Sequence, residues 1–213
     1  MKKYKYLYLL LGIFAFALQM YDITSASLSL NITATFGLVV IQMFGLSLFA
    51  YYQKDHVKDP KKFIDMIHVL VFLIYLINLM YELFFNPELR HLATTAYTIN
   101  LVPFKTIRLY VDAYQAGTLP ISTIFLNLAG NILLFMPFGY FIYILFKPCR
   151  NFLIYMLVML VIIAGVEICQ TYFYVGTGDI DDLILNMIGV LIFYLLTFLP
   201  PLCKYLQSMK VVS

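Results

Sequence analysis

Residues Val166–Gly189 read VEICQTYFYVGTGDIDDLILNMIG. Two apolar stretches are joined by a Gly-containing turn, and Glu167, Gln170, Asp179, Asp181, Asp182 and Asn186 are set into them. Glu167 and Gln170 stand i,i+3 and Asp182 and Asn186 stand i,i+4, so on helices each pair shares one face. An ionised carboxylate at the centre of a membrane helix costs at least ~2.5 kcal/mol, so such acids usually face a bundle interior or a wet cavity. The stretch therefore reads as a helical hairpin whose polar faces meet near one turn, and it is the leading candidate for the functional site.

The rest of the chain supplies the membrane. Its 213 residues are 63% hydrophobic and 12% charged, whereas a soluble domain carries about a quarter charged residues. That composition predicts an all-α polytopic membrane helix bundle, a single membrane domain over residues 1–213 with no room for a separate soluble domain. No nucleic-acid partner is expected. The three cysteines, Cys149, Cys169 and Cys203, are scattered and odd in number, so free thiols are expected rather than a disulfide frame or a zinc site.

N-terminal to the hairpin, the fourth apolar run (about Ile121–Phe146) carries Asn127, Asn131 and Pro137, with Gly130 and Gly139 thinning it. Pro137 should free the carbonyl of Leu133 and kink the helix. Before it lies a long segment from Asn86-Pro87 to Pro120, too long for an idle connection. Its apolar and basic alternation around Lys105 and Arg108 suits a piece lying on, or re-entering, the membrane surface. Earlier runs cover about Phe63–Phe85, Thr33–Tyr52 and Tyr6–Met20. The first is longer and more aromatic than a usual signal-peptide core, which favours a retained span over cleavage near Ala26. The fifth and sixth runs, about Phe152–Tyr174 and Asp182–Pro200, complete about six transmembrane helices.

Of the 14 Lys and Arg, only Arg90, Lys105 and Arg108 fall on the side opposite the N-terminus. The positive-inside rule then places both termini in the cytoplasm. The long segment and the hairpin turn share the outer side, with Glu167 roughly 10 Å below the outer end of its helix at 1.5 Å per residue. The expectation is an outward-opening pocket lined by Asn127, Asn131, Glu167, Gln170, Asp179, Asp181, Asp182 and Asn186, with Lys105 and Arg108 available from the loop.

Two uses of that inventory compete. Carboxylates and amide oxygens bind hard divalent cations, with Asp181 and Asp182 the first metal ligands, and a held cation could recruit a phosphate. Alternatively Lys105 and Arg108 bind a lipid phosphate directly while the acids pair with them. Plainer roles stand beside both. The asparagines can bond between helices, Asp181 or Asp182 can cap the sixth helix, and Glu167, mid-span, has no capping role.

The ordered blocks Asn100-Leu101-Val102-Pro103-Phe104, NLAGNILLFMPFGY (127–140), Glu167-Ile168-Cys169-Gln170 and DIDDLILNMIG (179–189) resemble the motif series of VanZ-like membrane proteins over about residues 100–196. The family often has a basic residue in the turn before the acids; here the turn is Gly176-Thr177-Gly178, so any such role passes to Lys105 or Arg108. The resemblance implies a bacterial plasma-membrane protein that confers low-level resistance to glycopeptide (teicoplanin-type) antibiotics.

Two functions follow from these readings. In the first, a non-enzymatic envelope protein engages membrane lipids, a lipid-linked cell-wall precursor or a lipoglycopeptide in its outer pocket, with no cofactor. In the second, a membrane enzyme modifies a phosphorylated lipid headgroup, with Glu167 as the catalytic general base and a divalent cation held by the aspartates. No Ser-His-Asp or Cys-His pair is evident, which suits a binding role.

Overall fold

The computed structural model describes residues 4–25, 32–85, 99–176 and 178–208. Lys2, Lys3, Ala26, the Asn86-Pro87 break, Arg90, Thr177 and Lys210 lie outside the described residues. The protein is all-α, and among the described residues the one extended pairing is an isolated bridge between Asn100 and Asp179. The helices fall into two compact units, one built from the first three helices as far as Glu82 together with Gln207 and Ser208 at the end of the last helix, and the other running from Leu83 to Leu206.

In the first unit, α1 (Lys5–Ser25) packs on α2 (Ile32–Gln53). Their backbones meet at Gly45, where a Cβ would stand 2.7 Å from the Tyr8 carbonyl oxygen. Only a missing side chain allows that approach. Farther along, Gln42 Nε2 donates to Gln19 Oε1 at 2.6 Å between two buried side chains. Helix α3 (Pro60–Phe84) opens as its sequence dictates, with Asp59 Oδ1 accepting from Lys62 N at 3.0 Å and Pro60 in the first turn, where no N–H is needed.

The second unit contains α4 (Lys105–Gln115), α5 (Ile121–Leu134), α6 (Met136–Leu145), α7 (Phe152–Tyr172), α8 (Ile180–Leu196) and α9 (Pro200–Ser208). The expected kinked fourth helix is instead two helices broken at Phe135 (φ −95°, ψ −1°). The Leu133 carbonyl accepts from Phe135 N–H, while Pro137 occupies the first turn of α6. Proline thus begins the second half, where its missing donor costs nothing. Asn151 caps α7, its Oδ1 accepting from Leu153 N and Ile154 N at 3.0 and 3.3 Å. Helix α8 runs back against α5, α6 and α7. It lies so close to α5 that a Cβ on Gly189 would collide with the Ile132 carbonyl oxygen. At the far end, Tyr143, Tyr155, Phe193 and Tyr194 form an aromatic cluster, tied down by Tyr194 Oη donating to Arg150 O at 2.8 Å.

Three helical segments are long and apolar enough to cross a membrane among the described residues: Pro60–Phe84, Ile121–Leu145 taken through its break, and Phe152–Tyr172. Helices α8 and α9, bent by 76° at their junction, make a fourth if counted as one broken span. Helices α1 and α2 are apolar and 21 and 22 residues long, each about 30 Å at 1.5 Å per residue.

Candidate functional site

The turn between α7 and α8 is built on a left-handed residue. Tyr174 adopts φ +57°, Val175 N–H reaches back to Gln170 O at 3.0 Å and Tyr174 N–H to Thr171 O at 3.3 Å. This is a Schellman ending, usually made with glycine, and the residue that follows it, Val175, is buried. The chain then passes Thr171 at Gly178, where an added Cβ would stand 2.5 Å from Oγ1. It pairs with the incoming segment: Asn100 N donates to Gly178 O at 2.8 Å and Ile180 N to Asn100 O at 3.0 Å.

The three acids that follow, Asp179, Asp181 and Asp182, then take three different jobs. Asp179 is the cap of α8, accepting from Asp181 N at 2.9 Å, and also holds Asn100 Nδ2 at 3.0 Å and the Thr106 hydroxyl. The sequence reading gave the cap to Asp181 or Asp182. Asp181 instead caps a different helix. Its fully buried carboxylate accepts from Phe104 N (2.5 Å), Thr106 N (2.8 Å) and Ile107 N (3.2 Å), the open N-terminus of α4. Phe104, the residue before α4, has φ +65° and no oxygen on its side chain, so the cap comes from 77 residues away. Backbone N–H groups and the helix dipole at that end both favour a carboxylate. Asp182 points to α5, where Asn131 Nδ2 donates to its Oδ1.

Glu167 joins this group from α7. Its carboxylate lies against the backbone N–H of Asp179 and within electrostatic range of Asp182 and Asp179. Tyr110 on α4 faces the same two aspartates, and burial and their negative charges push its phenol up, keeping it a proton donor. Asn186, one turn beyond Asp182, is 2% exposed and its Oδ1 has no hydrogen-bond partner among the described residues.

The remaining expected residues lie apart. Gln170 donates to Leu83 O at 3.1 Å, a bond inside the second unit, which begins at Leu83. Asn127 is exposed and bonds back along its own helix to Thr123 O at 2.9 Å. Lys105 and Arg108 are exposed on α4 and, among the described residues, form no ion pair with the acids. The donors expected from them come from backbone N–H groups, Asn100, Asn131 and Thr106. With three N–H groups on its two oxygens, Asp181 is already coordinated by the chain. Among the described residues no group of three or more His, Cys, Asp or Glu side chains is arranged to hold a metal ion.

Thr106 and Tyr110 were not singled out by sequence reasoning, and Asn100 only as part of a motif. A signal existed. A helix beginning after Val102-Pro103-Phe104 lacks any local capping oxygen, so a remote one had to be found.

A family model described as VanZ/LLP1 matches residues 66–200. The chain belongs to the VanZ-like family. The match begins in α3 rather than at Asn100, so it takes in an earlier helix than the motif blocks alone suggested, and it ends at the α8–α9 bend. No curated protein and no solved structure matches the chain. In this VanZ-like protein the motif blocks therefore meet in space: the 100–104 block, Asn131 and Glu167 all converge on the acids of the 179–189 block.

Proposed function

We propose that this VanZ-like membrane protein is a multi-pass protein of the bacterial plasma membrane with both termini in the cytoplasm. It lowers sensitivity to teicoplanin-type glycopeptides by engaging a lipid or lipid-linked cell-wall precursor at an outer-leaflet polar pocket. The observation that carries the reading is the docked segment around α4. Asp179 and Asp181 hold it down from beneath, while Leu101, Val102 and Phe104 are 72%, 60% and 51% exposed beside exposed Lys105 and Arg108. Large apolar residues next to cations suit the boundary between acyl chains and anionic headgroups. Glu167, Asp182, Asn131 and Tyr110 gather around the same docked segment and are the polar groups this reading assigns to the ligand.

The test is expression in a susceptible bacterium, with inhibitory concentrations measured for teicoplanin and for a glycopeptide lacking a lipid tail. Protection is expected against teicoplanin and expected to fall in Glu167→Gln at unchanged membrane protein level. Equal sensitivity with and without the wild-type protein would sink the reading.

A further inference from the structure

Helix α4 has two faces with different occupations. Thr106 and Tyr110 turn toward the acids, while Lys105, Arg108, Leu109 and Asp112, spaced i, i+3, i+4 and i+7, form an exposed ridge. Two observations fix the depth of that ridge. Helix α7 is long and apolar enough to cross a membrane and ends at Tyr172, where Tyr172 and Phe173 make an exposed aromatic pair of the kind found at a membrane–water boundary. The turn beyond them is bonded to the segment before α4, through Asn100 N to Gly178 O at 2.8 Å and Ile180 N to Asn100 O at 3.0 Å. Asn100 therefore stands at the same boundary. From it the chain runs through exposed Leu101, Val102 and Phe104, then Lys105 and Arg108, then Asp112. Apolar, cationic and acidic residues thus follow one another in the order in which an anionic monolayer presents acyl chains, phosphates and water. Asp181 already occupies the N-terminal N–H groups of α4, so the cations, and not the helix end, are left to meet an anion.

We propose that this ridge binds an anionic diacyl phospholipid of the phosphatidylglycerol type, with its phosphate on Lys105 and Arg108 and its acyl chains beside Leu101, Val102 and Phe104. The proposal rests on the lipid-engagement reading above and adds the class of lipid and the residues that select it. Lys105 and Arg108 form no ion pair among the described residues. A zwitterionic headgroup brings its own cation and neutralises them less well than a net anionic one. The apolar residues beside them select a phosphate carried on acyl chains over a free one.

The chain contains no tryptophan, so Leu101→Trp places a single emitter beside the ridge and Leu157→Trp a single emitter on an exposed position of α7. Each purified variant is placed in nanodiscs of equal parts phosphatidylcholine and phosphatidylglycerol, with bromine on the acyl chains of one lipid or the other. In Leu101→Trp, brominated phosphatidylglycerol should quench more strongly than brominated phosphatidylcholine; in Leu157→Trp the two should quench alike. Each cation is worth about fivefold in local enrichment. Lys105→Gln or Arg108→Gln should therefore reduce the preference by about that factor, and the two together should abolish it with the melting temperature unchanged, since both side chains are exposed. Excess soluble glycerol phosphate should leave the preference intact. Equal quenching by the two lipids in Leu101→Trp, a preference that survives loss of both cations, or one that soluble glycerol phosphate removes, overturns the inference. A clear preference in a protein that gives no protection against teicoplanin leaves the inference standing and removes the resistance reading; protection without any preference removes this inference alone.

Discussion

Asp181 has no exposed surface and carries three backbone N–H groups of α4. Asp181→Asn would turn an NH₂ toward donors that need an acceptor, and hydrogen bonds to a charged group are worth about 1.5–3 kcal/mol each. The expected result is release of α4, read as faster amide exchange at Thr106 and Ile107 and as tryptic cleavage after Lys105 and Arg108. Unchanged protection would mean that the cap does not hold the helix. For Asn131 and Asp182 the expectation is reciprocal: Asn131→Asp or Asp182→Asn alone destabilises, and the double exchange recovers most of the loss because amide and carboxylate again face each other. A double-mutant cycle on thermal unfolding measures this coupling. These contacts were only partly legible in the sequence. The acids announced themselves by standing in apolar runs, but which donor each would take depends on a chain separation of 51 to 77 residues.

Helices α5 and α8 are held in register by a missing side chain. A Cβ on Gly189 meets the Ile132 carbonyl, backbone that cannot swing aside. Gly189→Ala should therefore cost about 1–3 kcal/mol as an overpacking change, read as a lower melting temperature in detergent; a neutral result would show that the helices can part without loss. Pro137→Ala should move the melting point little, because Pro137 sits in the first turn of α6, where an N–H has no partner to gain. The sequence marked a kink here from Pro137. The break falls at Phe135, two residues before Pro137, where the buried ring (1% exposed) and a φ of −95° and ψ of −1° end α5 and the Leu133 carbonyl that proline leaves free accepts from Phe135 N–H.

At the scale of the whole molecule, the proposed orientation puts the α4–α5 turn outside and the α2–α3 turn inside. With Cys149, Cys169 and Cys203 replaced by Ser, a cysteine at Ala116 should react with a membrane-impermeant maleimide on intact cells and one at Lys58 only after permeabilisation. Ala116 is the better probe than its neighbour Gly117, whose φ of +67° leaves any side chain strained. The reverse pattern would invert the topology.

Composition by itself determined that this chain is helical and membrane-bound, since 63% apolar residues leave backbone polar groups nowhere to bond but within helices. Local spacing determined where the α7–α8 hairpin lies and that its acids share one region, because a helix repeats every 3.6 residues whatever surrounds it. Only the tertiary structure decided what those acids do. A carboxylate takes whichever donor the fold delivers. Here the fold delivers the bare N-terminus of α4 to Asp181, Asn100 and Thr106 to Asp179, and Asn131 to Asp182, pairings between segments whose separation in sequence leaves no periodic trace.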